Sequence, residues 1–140
     1  MLKNLIKDVA KEAGITQAKA RLALGVIFNA AERQGSPMAE AVYTKMPGVR
    51  TLAAKTGAEN GAASGVIARL IEQTPGGRRY VAANMIRDLH GIDLGHKEIG
   101  KLLPSIAKYL EGTYEMTGFG HLGDIIGTDM DADADIAVAA

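Results

Sequence analysis

Cysteine is absent from the 140-residue chain, and so is tryptophan. Without cysteine there are no disulfides and no thiolate metal sites, a composition that fits a reducing compartment. Aromatic residues amount to 4%, too few for a sandwich core built on aromatic and β-branched side chains. No apolar run approaches the roughly 18 residues that a membrane span needs. At the start, MLKNLIKDVAKEAG sets Lys3, Lys7 and Lys11 at helical spacing, where a secretory signal would carry an unbroken apolar stretch. These absences lead us to expect a soluble, cytoplasmic protein.

Positive charge also runs out. All 16 Lys and Arg lie at or before Lys108, against nine acids there, a net +7. The remaining 32 residues hold seven acids and neither Lys nor Arg, a net −7. The chain as a whole is neutral while its parts are not. Such a split marks a surface for acidic partners, or an acidic end that folds back and covers that surface.

What is abundant is apolar and small. Apolar residues make up 47%, many of them Ala, beside 17 Gly, which suits closely packed helices. Leu2, Leu5, Ile6, Val9, Ala10 and Ala13 recur as one helix face, ended by Gly14. Thr16 caps the next helix, which runs to Gly35, and Ser36 followed by Pro37 starts a third. MPG, at 46–48, reads as a turn before a short helix over VRTLAAKT that closes at Gly57.

Gly57, Gly61 and Gly65 stand four apart. A loop is expected, because each Gly costs a helix ~1 kcal/mol against Ala; as a helix they would form a smooth stripe for close backbone approach. Val66, Ile67, Leu70 and Ile71 mark a helix closed by TPGG. Another runs from about Arg78 to His90, with Val81, Met85, Ile86 and Leu89 inward. Asp93 can cap the next, whose stripe of Ile99, Leu102, Leu103, Ile106 and Leu110 runs to Gly112. Pro104 either kinks that helix or opens a second. GFGHLGDIIG, at 118–127, is Gly-rich and weakly helical. The expected fold class is therefore all-α. A compact bundle of about six to eight short helices occupies residues 1–126 as one domain, followed by an acidic tail, 127–140.

An internal echo suggests two related halves, 1–57 and 78–126, joined by the Gly/Ala-rich segment. Asn4–Val9 matches Asn84–Leu89 at every position by identity or close chemistry. The interval from Gly14 to Gly35 equals that from Gly91 to Gly112. The helix interiors disagree, because aligning the glycines sets Asn29 opposite Ile106 and Arg33 opposite Leu110. Sliding by two residues pairs Ile27 with Ile106 and Ala31 with Leu110 but breaks the glycine match. Convergence of amphipathic helices that end in glycine accounts for the same echo. Two copies are in any case too few for a stacked solenoid, so a pseudo-symmetric globule is expected.

GITQAKARLALGVIFNAAERQ, MPGVRTLAAKTG, a Gly-rich centre and HGIDLGHKEIGKLLPSIAKYLEG together resemble the VcgC/VcgE-type bacterial proteins, a family of unknown function. The resemblance spans roughly residues 2–126 and implies a small helical bacterial protein. It brings no catalytic residues, and the chain departs from the pattern by inserting EQTPGGRRYV. The opening helices also resemble those of histone-like HU proteins, but the β-arm such proteins use on DNA is not visible here.

Candidate chemistry is sparse. His90, Asp93 and His96 stand three apart, and imidazole with carboxylate suits zinc. Their expected places at a helix end, a turn and a helix start also suit solvated residues, with His90 favoured there by the helix dipole. His121 and Asp124 add a further pair. Asp129, Asp131, Asp133 and Asp135 alternate as in a calcium loop, but Ala134 and Ala140 replace the Gly and bidentate Glu that loop needs. A solvated tail is expected, or one whose apolar end docks on a neighbouring chain. Arg78 and Arg79, with Arg87 on the same helix, form the best basic patch for an anionic partner. No phosphate loop and no base-stacking aromatics accompany it. Ser36, Ser64 and Ser105 sit in no nucleophile elbow.

These features lead us to expect no enzyme activity, no cofactor and no bound metal. The first expectation is an assembly module that forms homo-oligomers through Ala/Gly-rich faces, its tail contacting its own or a neighbouring subunit. The alternative is a binder of nucleic acid or another acidic partner through the basic body, with the tail as competitor.

Overall fold

The computed structural model describes residues 2–62 and 65–114. They form seven helices: α1 (Leu2–Ala13), α2 (Gln17–Arg33), α3 (Pro37–Lys45), α4 (Pro47–Glu59), α5 (Val66–Glu72), α6 (Pro75–Gly91) and α7 (His96–Tyr114). Among the described residues there is no strand, and the all-α reading of the sequence holds.

Local chemistry sets most of the boundaries. Leu5, Ile6, Val9, Ala10 and Ala13 are the buried face of α1, while Lys3, Lys7 and Lys11 are exposed. Gly14, at φ +70°, turns the chain so that the Ile15 N–H donates to the Ala10 carbonyl at 3.0 Å. The Thr16 hydroxyl caps α2 by accepting from the Lys19 N–H, and Ser36 caps α3 by accepting from Ala39.

Four boundaries differ from expectation. α3 ends at Lys45, ahead of MPG as expected, but Pro47 and Gly48 are not a turn: Pro47 opens α4, where its missing N–H costs nothing. α4 then runs through Gly57 to Glu59, so only Gly61 and Gly65 of the glycine series lie in the following link. The sixth helix starts at Pro75, three residues early, because the Thr74 hydroxyl caps it. Asp93 caps nothing with its side chain. At φ +63° it takes the left-handed place after α6, and the Leu94 N–H reaches back to the Leu89 carbonyl at 3.4 Å. Pro104 lies inside an unbroken α7, where both it and Gly100, whose carbonyl its ring crowds, face solvent.

α2 is the axis of the core. Ala20, Ala23, Leu24, Val26, Ile27, Phe28, Ala30 and Ala31 are all buried, covering most of its circumference, a pattern expected of a helix enclosed by others. α4 crosses it closely at Gly25, where a Cβ would stand 2.0 Å from the Thr56 hydroxyl oxygen. α1 and α6 also pack on α2, and α7 packs on α1. Helices of the two sequence halves are thus interleaved around one hydrophobic cluster. That cluster draws on α1 to α4, α6, Leu94 and α7, and takes nothing from α5.

The backbone matches one of the two registers of the internal echo. Among the residues of positive φ, Gly14 and Asp93 precede α2 and α7, and each of these helices begins three residues later. In that register Ile27 meets Ile106 and Ala31 meets Leu110, all fully buried. The hexapeptides Asn4–Val9 and Asn84–Leu89 sit one residue out of that register. They too share a pattern, since Leu5 and Met85 are buried, as are Val9 and Leu89.

Candidate functional site: the outer face of α5

Helical spacing sets Val66, Ile67, Leu70 and Ile71 on one side of α5 and Ala68, Arg69 and Glu72 on the other. Pattern alone places the aliphatic side inward. The reverse is found: the four aliphatics are 76%, 75%, 63% and 61% exposed, and the single buried residue of the helix is Glu72.

The cause lies 39 residues upstream. Arg33 ends α2 with its side chain only 12% exposed, and a guanidinium in that position needs a carboxylate. Glu72 supplies it, accepting from Nε of Arg33 at 2.6 Å and from Nη2 as well, and from Nη1 of Arg69 at 3.2 Å. One carboxylate between two guanidinium groups therefore fixes how α5 is rotated.

A second tie holds the start of α6 beside it. The Gln34 amide donates to the Arg78 carbonyl at 2.7 Å, and the Arg78 guanidinium donates to the Gln34 carbonyl at 3.3 Å. α5 and α6 approach so closely that a Cβ on Gly77 would fall 1.9 Å from the Ile71 carbonyl oxygen. A Cβ on Gly76 would meet nothing. The TPGG sequence thus joins a cap, a helix-starting proline and one glycine demanded by the crossing.

Tyr80, 63% exposed, extends the apolar surface onto α6. Beside it a cleft of about 560 Å³ opens between α5, α6 and the end of α4. Ile71 and Tyr80 give it an apolar wall, and Asn29, Asn60, Asn84 and Arg87 a polar one. Ile71 joins this polar-walled cleft to the exposed aliphatic side of α5, while Val66, Ile67 and Leu70 lie outside its lining; exposed aliphatics beside polar groups suit a protein-binding patch.

The other candidates fare differently. Arg78, Arg79 and Arg87 do not form one anion clamp. Nine residues of helix carry Arg87 to the side of α6 opposite Arg78, and Arg78 is folded onto Gln34. Arg79 is exposed, as is Arg87, whose Nε lies 3.9 Å from Asp88. His90 and His96 do meet, ring edge to ring face at 4.9 Å, with Nδ1 of His90 positioned to donate to the Leu94 carbonyl at 3.0 Å. Asp93 does not complete a triad: among the described residues no three His, Cys, Asp or Glu gather as a metal set. His121, Asp124, Asp129, Asp131, Asp133 and Asp135 lie outside the described residues, as does Ser64. Ser36 caps α3, and the Ser105 hydroxyl donates to the Lys101 carbonyl at 2.6 Å.

Besides the Arg33–Glu72 pair, Tyr43 is a site of unusual electrostatics that its sequence does not announce. Its hydroxyl donates to the Phe28 carbonyl at 3.2 Å in the core, and Arg50 lies over its ring at 4.8 Å. Burial, then the carboxylates of Glu32 and Glu40, push its phenol above the ordinary tyrosine range. It serves as a neutral hydrogen-bond donor.

No helix of the described residues is long and apolar enough to cross a membrane. In comparisons with known proteins, no protein-family model, no curated protein and no solved structure matches the chain. The likeness to VcgC/VcgE-type proteins therefore rests on the quoted sequence stretches alone.

Proposed function

We propose that the chain is a non-catalytic helical assembly module that associates with copies of itself through the outer face of α5, extended by Tyr80. The observation that carries this reading is the orientation of α5. At their exposures the four aliphatics forgo roughly 1–2 kcal/mol each of burial, on the order of 4–8 kcal/mol together. Neutralising Arg33 is worth about 3–5 kcal/mol by the cost of breaking such a pair. The two are of the same order, so the ion pair can hold the rotation while the aliphatic burial stays forgone, and a second surface laid over α5 would recover that burial. Binding of nucleic acid by the basic body has less support, since Arg78 and Arg87 on opposite sides of α6 leave no continuous phosphate track.

The test is native mass by light scattering at physiological salt. The wild-type chain is expected above its monomer mass of 14.7 kDa. Ile67→Asp with Leu70→Asp is expected to return it to monomer with helicity by circular dichroism intact. A monomeric wild type, or a double variant of unchanged mass, rules the reading out.

A further inference from the structure

The α5 face needs an apolar, acidic counterpart, and the chain carries one beyond its last described residue. Residues 115–140 hold six acids and neither Lys nor Arg. Their large apolar residues concentrate in eight positions, Phe119, Leu122, Ile125 and Ile126, at three- and four-residue spacings. Of the four arginines in residues 65–91, Arg69 is paired with Glu72 and Arg78 is folded onto Gln34, which leaves Arg79 and Arg87 exposed on α6, Arg87 lining the cleft beside Ile71 and Tyr80. We infer that the α5 face is occupied by segment 115–140 of a second copy, with Phe119, Leu122 and Ile126 on the aliphatics and the aspartates 129–135 towards Arg79 and Arg87. This rests on the self-association reading and names what that surface receives.

Charge favours this occupant over a second α5. Two like faces would bring the arginines at the rim against their own copies, whereas the acidic segment neutralises them. An apolar stripe laid in a groove with charges at its edge is also a recurrent mode of segment recognition.

The length of chain favours exchange between copies. The last described turn of α7, at Gly112 and Thr113, borders Asp8 and Lys11 of α1. α5 packs on α6, and α2 packs between α1 and α6. Five residues from Tyr114 to Phe119 reach at most about 18 Å. Within one chain they would have to round the α2 and α6 layers, at 8–10 Å for each helix spacing. A neighbouring copy imposes no such path. Exchange is reciprocal, so each dimer seats two segments on two faces.

Because the chain lacks native cysteine, single cysteines report contacts without background. Full-length Leu70→Cys and Phe119→Cys chains, mixed and mildly oxidised, are expected to give the mixed disulfide dimer as the dominant product. Full-length Phe119→Asp with Leu122→Asp is expected to raise the half-dissociation concentration about 30-fold or more, the scale of losing one interface hot spot. Three results overturn the inference. Leu70→Cys homodimers dominating in an oligomer whose mass ignores the Asp pair mean that α5 pairs with α5, and leave self-association standing. An intramolecular disulfide in a Leu70→Cys, Phe119→Cys double variant of monomeric mass means that the segment folds back on its own chain. A wild-type monomer that forms no cysteine product removes both the inference and the reading beneath it.

Discussion

Replacing Gly77 by alanine adds one methyl group at a point where two helices leave no room for it. That carbon would lie 1.9 Å from the Ile71 carbonyl oxygen and 2.7 Å from the Glu72 Cα, both backbone atoms that no rotamer change can move. Reaching van der Waals distance requires the start of α6 to retreat by roughly 1.5 Å. Overpacking of that kind costs about 1–3 kcal/mol. Against it stands the gain of Ala over Gly in a helix, up to ~1 kcal/mol and less in a first turn. The expected net loss is about 1–2 kcal/mol.

Its neighbour provides the control. A Cβ at Gly76 meets nothing, so Gly76→Ala should stabilise by about 0.4–1 kcal/mol through the unfolded chain alone. Urea unfolding followed by circular dichroism measures both, read as midpoint shifts at constant slope. For a domain of this size 1 kcal/mol moves Tm by about 3–4 °C, so two adjacent glycines should shift Tm in opposite directions. If both variants stabilise alike, the close α5–α6 crossing is wrong, and with it the rotation that presents the aliphatics.

Two further perturbations probe the same interior. Glu72→Leu strands Arg33 and should cost about 3 kcal/mol or more, while adding Arg33→Leu should recover much of that loss; urea midpoints in which the double variant loses the sum of the singles would show no coupling. Tyr43→Phe tests the buried phenol, whose raised titration means that the unfolded chain releases its proton first. Wild-type stability from this group is whole below about pH 10 and falls above it by about 1.4 kcal/mol per pH unit. The variant should be about 1 kcal/mol weaker at pH 7, for its lost hydrogen bond, and lose that disadvantage near pH 11. A gap between the two urea midpoints that does not change with pH would refute it.

Much of the fold was legible because its signals are local. Thr16, Ser36 and Pro37 act on backbone groups within three residues, and Gly14 and Gly35 supply the left-handed turn where they stand. The α7 stripe needed only its own period, and Leu102, Leu103, Ile106 and Leu110 are buried as read. Asp93 was misread because a short polar side chain serves either a helix start or a left-handed helix end, and Leu94 entering the core selects the second. The candidate site was half legible. The sequence separates the two sides of α5 but cannot say which turns inward, because Arg33 decides it from 39 residues away. Arg69 and Glu72, three apart on the polar side, were the available hint.

The place of α5 between the halves gives that rotation its meaning. α2 and α7 share a local pattern, a left-handed residue, Gly14 or Asp93, three residues before a helix with matching buried positions, although α1 packs on α2 while α7 packs on α1. The helices of the two halves interleave and close the core without α5. A helix that lends nothing to the core has no packing reason to carry Val66, Ile67, Leu70 and Ile71, since polar residues on that side would leave the Arg33–Glu72 tie intact. Solvent gives no reason either, as four neighbouring exposed aliphatics are a liability on a monomer surface. This supports the proposed reading of α5 as a surface for a partner copy, held at fixed rotation by a buried carboxylate and at fixed height by Gly77. The positive charges of the body end at Lys108, and the 32 residues that follow hold seven acids, four of them aspartates after the apolar cluster at 119–126, the composition on which the proposed exchange between copies rests.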